Sequence, residues 1–214
     1  MFTLSRITLG GDAGIESQSI MKFRIDLHSD SKEEWIKAVM TNFDEFLQDH
    51  ADCERKASAM AMSFVAKYPN RVEIVPELIE TAVEELEHFR DVYGIMERRG
   101  ISLNHEIGKD PYVSKLLKYC RDGREERFMD RLLLASLVET RGAERFRLVY
   151  EHQQEEELKS FYHRLFASEA KHGEIFVRMA LNYFDEKAVY HRLGEMTEIE
   201  AIVLDELPIK AALH

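Results

Sequence analysis

The chain has 214 residues, 45% hydrophobic and 32% charged, with only 4 Pro and 10 Gly, which excludes a loop-heavy or all-β fold and suits one helical domain with a substantial core. A formal net charge of −11 counts against broad, unselective binding to nucleic acid, which rests on basic surface. Cys53 and Cys120 are too few for a disulfide framework or a thiolate metal site, no run approaches a membrane span, and the first residues lack the apolar core of a signal peptide, so a reducing cytoplasm is expected.

Residues 1–30 carry little pattern beyond Gly10-Gly11 and a short extended piece from Met21 to Leu27; they read as a loosely attached arm, with 31–214 as the domain. Ser31 and Glu34 form a capping box that opens a helix through Trp35 towards Met40. Helical character continues from Asn42 to Tyr68, where Pro69 stops it, with the seam Phe43, Leu47, His50, Glu54, Ala57, Ala61, Phe64 and Tyr68 at four-three spacing. Pro76 suits the first turn of the next helix, which ends at Gly100 and has the seam Leu78, Ala82, Glu85, Phe89, Val92 and Met96. A long connection over 101–123 contains a minor helix capped by Asp110-Pro111 and running to Cys120, then a turn at Asp122-Gly123. A third long helix from Arg124 to His152 has the seam Phe128, Leu132, Ala135, Glu139, Gly142, Phe146 and Val149. The fourth, from Glu155 to Phe184, has the seam Leu158, Tyr162, Leu165, Glu169, His172, Phe176, Met179 and Tyr183. Two short helices ending near Pro208 are expected after it.

Two helical hairpins joined by one long crossover make the ferritin-like four-helix bundle, an all-α fold. Each seam carries a carboxylate where an apolar residue belongs, and the halves repeat: Glu54 precedes Glu85 by 31 residues and Glu139 precedes Glu169 by 30. Glu85 with His88 and Glu169 with His172 are three apart, so each pair shares one helix face. A single seam Glu is often a boundary residue reaching water, but four in register with two histidines form a ligand set for two metal ions. Four carboxylates offset the charge of two divalent ions, and oxygen and nitrogen donors without thiolate suit iron or manganese, with zinc admitted on ligand type. Glu144 falls off the seam and reads as a surface charge, and His50 as a core or supporting residue. Glu84 and Ser168 are candidates to hold a ligand histidine from behind, and Phe43, Phe89, Phe146 and Phe176 to line a dry pocket.

The phrases Asp49-His-Ala-Asp-Cys-Glu-Arg-Lys-Ala57, Glu84-Glu-Leu-Glu-His-Phe89, Val138-Glu-Thr-Arg-Gly-Ala-Glu-Arg-Phe146 and Ser168-Glu-Ala-Lys-His172 resemble the tRNA hydroxylase family known as MiaE, over about residues 32–184. The resemblance implies a non-haem di-iron monooxygenase that hydroxylates the isopentenyl side chain of a 2-methylthio-isopentenyl-adenosine in the tRNA anticodon loop, with dioxygen and an external electron donor. It also implies that Glu54, Glu85, His88, Glu139, Glu169 and His172 are the iron ligands. A ferritin-like iron oxidase or peroxide reductase without an RNA substrate, and a non-catalytic acidic bundle, remain alternatives, and monomer and dimer stay equally open. Arg90, Arg98, Arg99, Lys115, Lys118, Arg121, Arg124, Arg127 and Arg131 read either as a local surface for RNA or as solvated charges paired with Glu87, Glu97, Glu125 and Glu126.

Overall fold

In a computed structural model, residues 25–214 are described; of the arm, 1–24 lie outside the described residues, as does most of the Met21 to Leu27 piece. The described residues form seven α-helices and no strand. In chain order these are α1 (Glu33–Thr41), α2 (Phe43–Lys67), α3 (Val75–Arg99), α4 (Pro111–Leu116, followed by a 3-10 turn), α5 (Arg124–His152), α6 (Glu156–Leu181) and α7 (Glu186–Glu206). Pro76 stands in the first turn of α3, and Gly100 closes it at φ 70°, where an L side chain would be strained. Asp110 caps α4 by accepting from the backbone N–H of Tyr112 and Val113.

Pairing is closest within α2–α3 and within α5–α6. Between the hairpins the backbones stand further apart, so side chains meet there and leave space at mid-height. Gly173 marks the tight contact inside the second hairpin: a Cβ there would sit 2.6 Å from Thr140 Oγ1. Two apolar clusters fill the ends of the bundle. One holds Phe64, Leu78, Phe128, Leu132, Phe176 and Met179; the other holds Phe46, Leu47, Val92, Phe146, Tyr162 and Leu165. The order of these residues along each helix makes α3 and α5 run the same way, so the crossover must travel back along a 25-residue helix, ~37 Å at the usual rise. That return is the reason the connection over 101–123 is long.

Three expectations are corrected. The segment after Phe184 is one helix, α7, started by Asp185 and continuous through Gly194. It packs on α4, α5 and α6, and that packing sustains a single rod where local sequence suggested two pieces. Ser31 makes no capping box, since α1 has Lys32 at its N-cap. Instead the Ser31 hydroxyl and backbone N–H both donate to Glu144, at 2.7 and 3.0 Å. Glu144 is therefore not a surface charge: it also accepts from Arg141 at 3.1 Å and helps pin residues 29–31 to α5. Arg141 is fully buried and makes a bidentate pair with Glu200 of α7, at 2.9 and 3.0 Å, while Tyr112 donates to the same carboxylate at 2.8 Å. No helix among the described residues is long and apolar enough to cross a membrane.

Candidate metal centre

Between the two apolar clusters, the seam positions of α2, α3, α5 and α6 bring Glu54, Glu85, Glu139 and Glu169 to one level, all of them buried. Two donor groups result. Glu54, Glu85, His88 and Glu169 form one, and Glu85, Glu139, Glu169 and His172 the other, with the donor atoms of each within 4.8 Å of one another. Glu85 and Glu169 belong to both. All six residues singled out by the seam pattern thus meet at one enclosed spot.

The contacts inside the site are short without being saturated. His172 Nδ1 lies 2.7 Å from Glu85 Oε1 and 3.2 Å from Glu169 Oε2. His88 Nδ1 lies 3.0 Å from Glu169 Oε1 and 3.4 Å from Glu85 Oε2. Yet both Glu85 oxygens, Glu169 Oε1 and His88 Nδ1 are buried without a hydrogen-bond partner. Buried polar atoms are nearly always partnered. Donor atoms that crowd together while aiming past one another are arranged for a cation between them.

Supporting contacts fix the imidazoles. His172 Nε2 lies 2.7 Å from Glu84 Oε2; a carboxylate accepts, so Nε2 carries a proton, and Nδ1 is turned towards Glu85 and Glu169 in the site. Glu84, and not Ser168, fills that place. His50 Nε2 lies 2.6 Å from Glu54 Oε1, and its Nδ1 lies 3.2 Å from the Tyr162 hydroxyl. Burial lowers His50 to about 3, so it stays neutral, donates to Glu54 and accepts from Tyr162.

Burial also raises the Glu54 carboxyl, lifts Glu85 to about 7 and pushes Glu139 well above the ordinary range. For Glu169 burial acts the same way, but contact with His172 and His88 outweighs it and holds the group far below that range. Burial likewise opposes charge on His172, yet Glu169 and Glu85 raise it to about 12.

A cavity of about 580 Å³ opens between α2, α5 and the crossover and reaches Glu54, Glu139 and Glu169. Ala57, Met60, Val113, Leu117, Ala135 and Val138 give it apolar walls. Of the four aromatics expected to line a pocket, only Phe146 does; Phe43 and Phe176 pack into the end clusters, and Phe89 stacks on Tyr93. Small residues make the space, as at Gly142, where an added Cβ would meet nothing within 4 Å. Sequence reading missed the wall supplied by Leu213 and His214. Leu213 is held by Asp49 and Arg145, at 2.7 and 2.6 Å, and His214 Nδ1 lies 3.4 Å from Asp110 Oδ2. Only long-range contacts fix this wall, so no local signal announced it.

The basic stretch is largely neutralised. Arg98 pairs with Glu157, Arg99 with Glu155, Lys115 with Glu206, Arg121 with Asp130 and Arg127 with Asp122, while Arg90 lies near Glu87 and Asp91. Most of these partners differ from the acids that the sequence suggested.

Four long helices in this topology, with facing carboxylates and histidines at mid-height, define a protein of the ferritin-like carboxylate-bundle class. Within that class the chain belongs to the family described as tRNA-(MS[2]IO[6]A)-hydroxylase (MiaE), whose model matches residues 18–214, further at both ends than the quoted phrases reach. It is similar to the tRNA 2-(methylsulfanyl)-N(6)-isopentenyladenosine(37) hydroxylase of Pseudomonas putida, 36% identical over 152 residues that cover 71% of this chain and 73% of that one. The Salmonella typhimurium protein of the same description is 25% identical over 224 residues, covering 82% of each chain. Among solved structures, a Synechococcus protein with aldehyde deformylating oxygenase activity matches with a TM-score of 0.83 and 29% identity, over 88% of this chain and 94% of that one.

Proposed function

We propose that the chain is a non-haem di-iron monooxygenase that hydroxylates the isopentenyl group of 2-methylthio-isopentenyl-adenosine in tRNA, in the cytoplasm, using dioxygen and an external electron donor. Glu85 and Glu169, shared by both donor groups, would span two ions. Glu54 with His88 would complete one position, and Glu139 with His172 the other. The unpartnered buried oxygens and the all-oxygen-and-nitrogen donor set fit iron; manganese or zinc would suit the same donor types. Bound there, iron would supply the activation of dioxygen that puts one oxygen atom into a C–H bond while the other leaves as water with two electrons and two protons from the donor.

The protein's own contribution is placement and exclusion of water. His50 holds the Glu54 carboxylate from behind, and Glu84 fixes the His172 ring. The apolar cavity admits a prenyl chain and keeps bulk water from the reacting carbon. A modified base must leave its stack to enter, as for other enzymes that act on bases. One observation carries the reading: the cavity with apolar walls ends on Glu54, Glu139 and Glu169. The test is anaerobic iron loading followed by reductant, dioxygen and tRNA bearing the isopentenyl adenosine. Mass spectrometry of the digested nucleosides should show the gain of one oxygen atom. A fully iron-loaded protein that leaves the nucleoside unchanged would overturn the reading.

A further inference from the structure

An acidic protein that takes an RNA substrate needs cations that are free to meet phosphates. Most of the arginines and lysines of the basic stretch already face a carboxylate. The cavity is different. Its lining includes Lys56 of α2, Lys109 of the crossover and Arg131 of α5, one from each wall. Among the described residues none of these three meets a carboxylate within ion-pair distance, and Arg131 has only the Phe64 ring, at 5.6 Å. The acid beside Lys109 does not compensate it, because Asp110 is engaged by the first N–H groups of α4 and by His214. Lys56 and Lys109 also line an adjoining cleft of about 430 Å³ that shares this stretch of wall. Three cations without an ion-pair partner thus share the lining of the cavity through which a nucleotide would enter.

We propose that Lys56, Lys109 and Arg131 are positioning residues that seat the phosphates flanking the modified nucleoside, so that the base enters the cavity with its side chain towards Glu54, Glu139 and Glu169. This rests on the function proposed above and adds how the RNA, as distinct from the base, is recognised. Each cation contributes through phosphate charge, so its effect is independent of sequence and sensitive to salt. None of the three is placed to take part in the oxidation itself.

The probe is a fluorescently labelled anticodon stem-loop RNA carrying the modified adenosine, bound to the iron-loaded protein over a series of salt concentrations. Lys56→Ala, Lys109→Ala and Arg131→Ala should each weaken binding and each lower the slope of log affinity against log salt by about 0.7 for a single-stranded contact. The control Lys187→Ala, an exposed residue lining neither space, should leave both unchanged. Iron content should be the same in all four, which separates phosphate seating from a field effect on the buried carboxylates. Unaltered slopes in the three variants of a protein that still hydroxylates tRNA would overturn this inference and leave the function standing. Absence of salt-dependent RNA binding by the unaltered protein would overturn both.

Discussion

Replacing Glu84 by Ala tests whether the His172 ring is a tuned metal ligand or merely a buried polar group. The His172 Nε2 to Glu84 Oε2 distance of 2.7 Å is that of a strong charge-assisted hydrogen bond. Loss of such an outer partner lowers metal affinity about 10–100-fold, equivalent to about 1.4–2.8 kcal/mol. The Glu84 side chain is 38% exposed, so water can replace it in part and the lower end, about tenfold, is expected. Lys171, 3.4 Å from the other Glu84 oxygen and itself 63% exposed, is a solvated neighbour worth at most about 1 kcal/mol. Lys171→Ala should therefore leave affinity nearly unchanged. The assay is anaerobic competition for ferrous iron against a chelator, with thermal unfolding of the metal-free proteins as control. Equal iron affinity in Glu84→Ala and the parent, with equal stability, would refute the role of the hydrogen bond.

Gly142→Leu should fill the cavity without straining the helix, because a Cβ there meets nothing; we expect equal or higher Tm, retained iron and loss of most turnover on tRNA, and full turnover would mean that substrate enters elsewhere. Arg141→Met strands the buried Glu200 carboxylate, which should cost about 3–5 kcal/mol and lower Tm by about 6–20 °C for a chain of this size, while Arg141→Met with Glu200→Leu should regain much of it. Burial by itself would raise the Asp130 carboxyl, but Arg121 and Arg192 outweigh it and hold the group below its ordinary 3.8. A group lowered on folding stabilises above its unfolded value and loses that effect as pH falls, so the stability gap between the parent and Asp130→Asn should narrow below about pH 3.8, and a gap constant with pH in denaturant titrations would contradict this.

The four long helices were readable because burial imposes a period, and a carboxylate interrupting that period is conspicuous. Glu54, Glu85, Glu139 and Glu169 announced themselves this way, as apolar neighbours one turn away on each seam made them unlike surface residues. Glu144 was misread because its partners, Ser31 and Arg141, come from an irregular segment and from its own helix, and no periodicity encodes the former. The cavity was misplaced for a related reason. Large aromatics draw attention, yet space comes from what is small, and Ala57, Ala135 and Gly142 stood in the seams as apparently ordinary core positions. The continuous α7 was hidden because its support is tertiary, through Glu200 and the faces of α4, α5 and α6.

Glu85 and Glu169 each offer oxygens to both donor groups, so the two proposed ion positions would not be separate compartments. An ion settling at either one would order the carboxylates that the second requires and remove protons that compete for them. Loading should then be cooperative, with singly occupied molecules scarce at every concentration, and partial supply of metal should divide the population into full and empty molecules.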